Sequence, residues 1–395
     1  MIFKPELSSI VSLMKLASIR NDKSDKPIIR FLIMFRHIFE VVLTIGTAIS
    51  CYVAGWKNNI GLVMFYSIIG TIACVQSIYF LYNYETGKLI FHDLKMLMKI
   101  QELDRTQDML HNETDFTWKW IQMYSFNLIA FMILYSSSPI LVEFILFILK
   151  IEVAPFLPPL PLNGFIVGTE RHTILYFCVC FASIYWSVSG MLAAIGNQSV
   201  PAIYLSYHSL GITVLLEKMK KLKRKIDLRS MHFRDTVDEK VAVRELIHLI
   251  QEHKLLLRLT HNINLYCGFP LAVQNIMISG CVCLLAYAFL TEINTDISAM
   301  LVNAFCLVLM FLIAGIPCIL GQRVETLSYQ LCDGLYDLPW YKQSPHLRKY
   351  LNMALRQANK GMKIHYHGRS PLNHNTLINI LNTSYSYFMV LQSSL

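Results

Sequence analysis

Residues 297–320 read ISAMLVNAFCLVLMFLIAGIPCIL, an apolar run without a single charged side chain. At a rise of about 1.5 Å per residue, a helix of this length crosses the roughly 30 Å hydrocarbon core of a bilayer. Six other apolar runs are also long enough to cross it, so the sequence predicts seven membrane-spanning helices. Their bounds are Leu32 to Trp56, Gly61 to Leu81, Trp120 to Leu149, Ile174 to Leu205, Leu265 to Leu290, Ile297 to Leu320 and Leu372 to Leu395.

The overall composition supports the same fold class, an all-α membrane protein. Of 395 residues, 54% are hydrophobic and 15% charged, and the mean hydropathy is +0.44. Such a chain cannot cover most of its surface with water-soluble side chains. We found no nucleotide-binding loop, no HExxH and no GxSxG pattern, so we predict no enzyme activity, no cofactor, no catalytic residue and no metal site.

The distribution of basic residues predicts the orientation of the spans. Of the Lys and Arg residues, 31 fall in the N-terminus and the even-numbered loops and 2 on the other side, with Arg36 and Lys150 at span ends. Because cytoplasmic loops carry the excess of positive charge, we expect the N-terminus inside and the C-terminus outside. The net charge of +9 is therefore a topology signal, and no nucleic-acid partner is predicted.

The predicted cytoplasmic segments carry helical patterns of their own. Apolar residues recur at helical spacing in Leu215 to Ile226 and Val241 to Leu257, so both segments are interpreted as continuations of the fourth and fifth spans. Pro345 begins and Gly361 ends another helix, whose apolar stripe comprises Leu347, Leu351, Ala354, Leu355 and Ala358. The predicted division is a cytoplasmic segment (1–31), spans one to four (32–205), helical extensions (206–263), spans five and six (264–321), anchor helices (322–371) and the last span (372–395).

The last span has one polar side. At about 100° per residue, seven residues fall within an arc of about 120°, and six of them are polar. Polar side chains that face lipid lack hydrogen-bond partners, so this stripe must face protein or water. Packing inside a bundle and a water-filled conduit both satisfy that requirement; in a conduit, Val390 would suit a dewetting gate. The stripe comprises Asn379, Asn382, Thr383, Ser386, Val390, Ser393 and Ser394.

The same region resembles a known family. The segment Ser384 to Leu391, SYSYFMVL, is similar to the terminal signature of insect odorant receptors. Upstream, LYDLPWY at Leu335 to Tyr341, RKYL at Arg348 to Leu351 and LRQA at Leu355 to Ala358, followed by Pro371-Leu372, resemble the family's approach to the last span. The resemblance covers roughly residues 322–395; over the first six spans it rests on topology, length and loop sizes.

The resemblance implies a function. Family members form tetrameric, ligand-gated, non-selective cation channels, in which an odour-binding subunit assembles with a co-receptor. The last span of each subunit lines the pore, and a small volatile ligand binds among the second to sixth spans in the outer half of the membrane. The fourth loop here is shorter than the co-receptor's, which favours a tuning subunit. The expected location is the plasma membrane of a sensory neuron dendrite, in contact with membrane lipids.

Candidate ligand contacts follow from that region and from the need for apolar and aromatic walls. For any one of these residues, core packing or lipid contact is the simpler interpretation. Glu143 is a further candidate because an intramembrane acid is often functional, although it lies close to interfacial water. Trp186 is explained as a packing or interfacial residue. The candidates are Phe65, Tyr66, Ile69, Ser137, Ile140, Phe177, Phe181, Tyr185, Met277, Tyr287, Met300 and Asn303.

Three alternatives stay open at this point. Gustatory receptors of the same superfamily end in a Thr-Tyr pattern followed by Gln-Phe, whereas this chain has Ser386-Tyr387 and Gln392-Ser393. A G-protein-coupled receptor would place its N-terminus outside and carry Asn-Pro-x-x-Tyr in the last span, which is absent here. A transporter would show internal repeats, and the two halves show none.

Overall fold

The computed structural model describes residues 27–53, 60–102, 107–131, 174–230, 236–292, 297–338, 345–365 and 371–393. These residues form nine α-helices and no β-strand. The predicted all-α fold class is therefore confirmed for this part of the chain. The helices are α1 (Pro27–Val53), α2 (Ile60–Tyr82), α3 (Tyr84–Glu102), α4 (Gln107–Phe131), α5 (Ile174–Ser230), α6 (Thr236–Glu292), α7 (Ile297–Tyr336), α8 (Pro345–Ala358) and α9 (His374–Ser393).

Three helices are much longer than a bilayer requires. Helices α5 and α6 have 57 residues each and α7 has 40. Each contains one proline, Pro201, Pro270 and Pro317 respectively, without ending there. Helices α5 and α6 both run without a break through the predicted fourth and fifth spans and the segments interpreted as their continuations. Among the described residues, α2, α5, α6 and α7 are long and apolar enough to cross a membrane by length and composition.

Helices α5, α6 and α7 form the centre of the molecule. Each of the three packs against the other two, and α2 packs on α6, α4 on α5 and α9 on α6. The buried residues of these helices belong to one continuous hydrophobic core. Helices α2 and α4 and the terminal helix α9 therefore pack on the same central bundle.

Helix α1 buries polar side chains and exposes apolar ones, the opposite of a helix on the surface of a soluble protein. Its buried side chains include His37, Glu40, Thr44 and Thr47, whereas its exposed side is apolar. A lipid environment explains this pattern, because apolar groups lose nothing when they face hydrocarbon and polar groups need partners within the protein. The exposed apolar residues are Met34, Phe35, Ile38, Val42, Ile45 and Ile49.

Ion pairs join the extended ends of the long helices. Lys218 pairs with Glu252 at 2.8 Å across α5 and α6, and Arg258 of α6 holds Asp93 of α3 through two hydrogen bonds of 2.5 and 3.0 Å. A bidentate guanidinium–carboxylate pair fixes orientation as well as distance. The helical extensions thus form a packed layer, as the apolar stripes indicated.

Helix α8 closes that layer with the predicted boundaries. It begins at Pro345, and its stripe residues Leu351, Ala354 and Ala358 are buried against the bundle. Gly361 follows with a φ of +66°, a left-handed conformation that glycine adopts without strain.

The segment after α8 is tied to α6 and α7 by its backbone. Asn264 donates to the carbonyl of Lys363 and accepts from the amide of His365, both at 3.0 Å. Lys363 also lies 3.2 Å from Glu325, and hydrogen bonds with Tyr329 and Glu325 raise the pKa of its ammonium group. This segment is therefore positioned by direct contacts with two of the central helices.

A candidate ligand cavity and the terminal helix

A cavity of about 50 Å³ lies between α1, α2, α4 and α5. Its walls are mainly aliphatic and aromatic, with a few polar groups, as small-molecule sites usually are. The lining residues are Glu40 and Thr44 of α1, Phe65, Tyr66, Ile69, Gly70, Ala73 and Cys74 of α2, Leu128 of α4, and Trp186, Ser187, Gly190, Met191 and Ala194 of α5.

The aromatic wall is built from rings that contact each other. The Tyr66 ring lies edge-on to Trp186 and to Phe65, with centroids 5.9 Å apart in both pairs. Gly70 makes room for this wall, because a Cβ at this position would lie 2.6 Å from the Trp186 ring. The indole nitrogen of Trp186 donates to the hydroxyl of Thr44 at 3.3 Å, which orients the ring.

A buried charged cluster adjoins the cavity. Glu40 accepts hydrogen bonds from Arg36 at 3.0 Å and from the hydroxyl of Ser189, and His37 lies 3.3 Å from its other oxygen. Arg36 also donates to the backbone carbonyl of Ser189 at 3.0 Å. A buried carboxylate without partners would be strongly destabilising. This cluster satisfies Glu40 and fastens α1 to α5.

A second buried network, of side-chain amides, lies deeper in the bundle. Gln76 and Gln198 donate to the side-chain oxygen of Gln274 at 2.5 and 2.7 Å, and Gln274 donates to the carbonyl of Ile313 at 3.1 Å. Asn197 donates to the carbonyl of Ala73, which lines the cavity. Because four helices meet in this network, α2, α5, α6 and α7 are held in one relative register.

The structure separates the predicted ligand contacts into groups. Phe65, Tyr66 and Ile69 line the cavity. Phe181 has 74% of its surface exposed, and Tyr185 is exposed and packs edge-on against Phe39 of α1. Four more candidates contribute nothing to this cavity: Met277, Tyr287, Met300 and Asn303. The positions outside the described residues are Ser137, Ile140, Glu143 and the side chain of Phe177.

Two wall residues have roles that the sequence interpretation missed. Trp186 belongs to the cavity wall, although interfacial or packing placement explained it equally well from the sequence. The sequence does contain a signal for Glu40, because it is an acidic residue inside an apolar run and Arg36 lies one turn before it. An intramembrane acid of that kind is a functional candidate in its own right.

The terminal helix presents two different sides. Ile380 and Ser384 are buried against the bundle, and the Ser384 hydroxyl lies 2.9 Å from the carbonyl of Ser279 on α6. This contact explains why a polar residue, Ser384, stands on the side of α9 that packs against the bundle. Within the single subunit, Asn379, Asn382, Ser386, Val390 and Ser393 are exposed and Thr383 is half-buried. Ser394 lies outside the described residues.

Comparison with known proteins identifies the family. The family model described as 7tm Odorant receptor matches residues 57–385, which is most of the chain. The chain belongs to the insect odorant receptor family. Within Drosophila melanogaster, it is 26% identical to odorant receptor 2a over 148 residues and 29% identical to odorant receptor 63a over 89 residues. These matches span 37% and 21% of the respective relatives.

Solved structures of this family share the whole fold. Olfactory receptor OR5 from Machilis hrabei, in complex with eugenol, superimposes with a TM-score of 0.66 over 98% of both chains at 13% identity. A second structure of the same receptor superimposes with a TM-score of 0.62 over 97% of both chains, also at 13% identity. At this level of identity the likeness concerns the fold, and the fold is that of an insect olfactory receptor.

Proposed function

We propose that the chain is the odour-binding subunit of a ligand-gated, non-selective cation channel in which α9 lines the pore. The two sides of α9 carry this proposal, because its polar stripe points away from its own subunit while Ile380 and Ser384 attach it to the bundle. Exposed hydroxyl and amide groups in a membrane need water or another subunit. An assembly of several subunits around an axis provides α9 with both a neighbouring subunit and a water-filled pore.

Val390 is the proposed gate. It is 66% exposed and stands within the polar stripe as its one apolar member. A ring of such side chains around an axis forms a constriction that excludes water. Small movements of α9 then decide whether the constriction is wet or dry.

The cavity among α1, α2, α4 and α5 is the proposed odour site, with Phe65, Tyr66 and Ile69 in its wall. Ligand opens the channel by binding the open arrangement more tightly than the closed one. The buried amide network between α2 and α6, and the contact of α6 with α9, give a continuous physical connection from the cavity to the pore helix.

We also propose that the chain is a tuning subunit that assembles with a co-receptor in a heterotetramer at the plasma membrane, with its N-terminus inside. The short connection between α5, which ends at Ser230, and α6, which begins at Thr236, supports a tuning subunit over the co-receptor. The positive-inside distribution of Lys and Arg supports the orientation.

The test of the function is electrophysiological. The chain is expressed with and without a co-receptor, surface labelling establishes its presence at the plasma membrane, and a panel of volatile compounds is applied. We expect ligand-evoked currents carried by Na⁺ and K⁺ alike when both subunits are present. A chain at the surface that gives no current with any compound would contradict the proposed function.

The gate is tested by Val390→Ser. A hydroxyl in the constriction favours water, so we expect a higher basal current without ligand. Leu381→Ser is the control, because Leu381 lies on the opposite side of α9 and is also exposed within the single subunit. An unchanged basal current in Val390→Ser, at equal surface expression, would exclude Val390 as the gate.

A further inference from the structure

One hydroxyl group in the cavity wall has no hydrogen-bond partner among the described residues. Ser187 is 7% exposed and lines the cavity, and its Oγ lacks a hydrogen bond among the residues that the structure describes. Serine hydroxyls within helices commonly donate to the carbonyl one turn earlier, as Ser384 and Ser386 do here. The Ser187 hydroxyl is therefore available to whatever occupies the cavity.

Glu40, Thr44 and Cys74 of the wall have partners within the protein. Glu40 is bound by Arg36 and Ser189. Thr44 donates to the carbonyl of Glu40 at 2.8 Å and accepts from Trp186. The Cys74 sulfur lies 3.5 Å from the Thr44 hydroxyl. Of the described residues that line the cavity, Ser187 is the one with a buried side-chain oxygen or nitrogen that lacks a hydrogen-bond partner among the described residues.

The charge of the wall restricts the ligand further. Glu40 reaches the cavity, whereas its partner Arg36 does not line it. An anionic ligand would have to give up its hydration for a largely apolar wall, while the Arg36 guanidinium is engaged by Glu40. Aromatic and aliphatic side chains provide the rest of the wall, which favours apolar molecules.

Building on the proposed function, we propose that the Ser187 hydroxyl is the polar anchor of the odour cavity, and that the ligand is a small uncharged molecule with one hydrogen-bonding oxygen. Alcohols, phenols, aldehydes and ketones belong to this class. The serine hydroxyl donates to a carbonyl oxygen and accepts from a ligand hydroxyl, so it serves both types. Hydrocarbons leave it unpartnered, and carboxylates would lose their hydration without compensation, because the Arg36 guanidinium is engaged by Glu40.

The test uses families of compounds that share one carbon skeleton, such as benzyl alcohol, benzaldehyde, toluene and benzoate, across many aromatic and aliphatic skeletons. They are applied to cells that express the receptor together with a co-receptor. We expect the alcohol or carbonyl member to be the most potent of each active family. Greater potency of hydrocarbons or carboxylates would overturn the proposal while leaving the channel function intact; silence to every compound would overturn both.

The role of Ser187 is then measured with Ser187→Ala. Removing the Ser187 hydroxyl breaks no hydrogen bond to the described residues, so the variant is expected at the cell surface at the normal level. The loss of one hydrogen bond should lower potency for oxygenated ligands by roughly 3- to 10-fold, with no change for hydrocarbons. Equal loss for both classes, or none, would overturn the anchor.

Ser183→Ala is the matched control. Ser183 is one turn earlier on α5, is also buried and also lacks a partner among the described residues, but it does not line the cavity. Its removal should leave the potency of oxygenated ligands unchanged. A loss as large as that of Ser187→Ala would show an effect of α5 as a whole and would contradict a specific role for Ser187.

Discussion

At the scale of single residues, the charged cluster of α1 shows how this protein keeps a carboxylate inside an apolar bundle. Glu40 has Arg36 and Ser189 as hydrogen-bond donors and lies beside the cavity. Both donors belong to the protein, so the buried carboxylate has hydrogen-bond partners. These hydrogen bonds compensate the buried charge of Glu40 and hold α1 against α5.

Arg36→Met should therefore destabilise the receptor. Removing one partner of a buried pair typically costs about 3–5 kcal/mol, because the other charge is left behind. We expect a lower thermal midpoint in detergent and less receptor at the cell surface. The double variant Arg36→Met with Glu40→Gln should recover part of the loss.

An exposed ion pair supplies the control for this prediction. Lys88 lies 3.6 Å from Glu85 on α3, and the two side chains are 39% and 65% exposed. Lys88→Met should change stability by roughly 0–1 kcal/mol. If Arg36→Met were as mild as Lys88→Met, the cluster would have no structural role.

At the scale of helices, the approach of α9 to α7 depends on the absence of a side chain. A Cβ on Gly321 would overlap the backbone oxygen of Leu372, just before α9 begins. Leu372 is also fixed by its own amide, which donates to the carbonyl of Ile364 at 2.8 Å. The first turn of α9 therefore has little room to move.

Gly321→Ala should displace the start of α9, because the blocking atom belongs to the backbone. We expect smaller ligand-evoked currents and a lower thermal midpoint. Gly315→Ala is the control on the same helix, since a Cβ there meets nothing within 4 Å. Alanine at position 315 should be neutral or stabilise α7 by up to about 1 kcal/mol. Equal effects of the two substitutions would contradict this account.

At the scale of the whole molecule, the single subunit leaves a membrane-buried helix with an exposed polar stripe. Such a surface is incomplete until other subunits or water cover it. The central bundle holds α9 through Ile380 and Ser384, while Ser386 lies on the exposed side. Two serines two residues apart thus belong to different environments.

Cysteine accessibility distinguishes those environments in the assembled channel. Ser386→Cys should react with a positively charged, water-soluble methanethiosulfonate while ligand holds the channel open, and the current should fall. Ser384→Cys, which replaces a residue that is 4% exposed, should not react. A protected Cys at position 386 together with an intact current would place the stripe outside the conduction path.

The sequence by itself determined most of the helical elements, although it gave no prediction for α3. Long apolar runs predicted the spans, and helical spacing predicted that the fourth and fifth would continue as α5 and α6. Pro345 and Gly361 marked both ends of α8. These features are local, because hydrophobic length, proline and glycine act within a few residues of where they stand.

Only the tertiary structure decided which apolar residues enclose the cavity. Phe65 and Phe181 are both aromatic residues of predicted spans, yet the first is buried in the wall and the second faces outward. In a membrane, lipid and protein core are equally apolar, so an apolar side chain does not reveal which one it faces. Polar residues do, which is why the stripe of α9 was visible in the sequence while the rotations of α2 and α5 around the cavity required the packed helices.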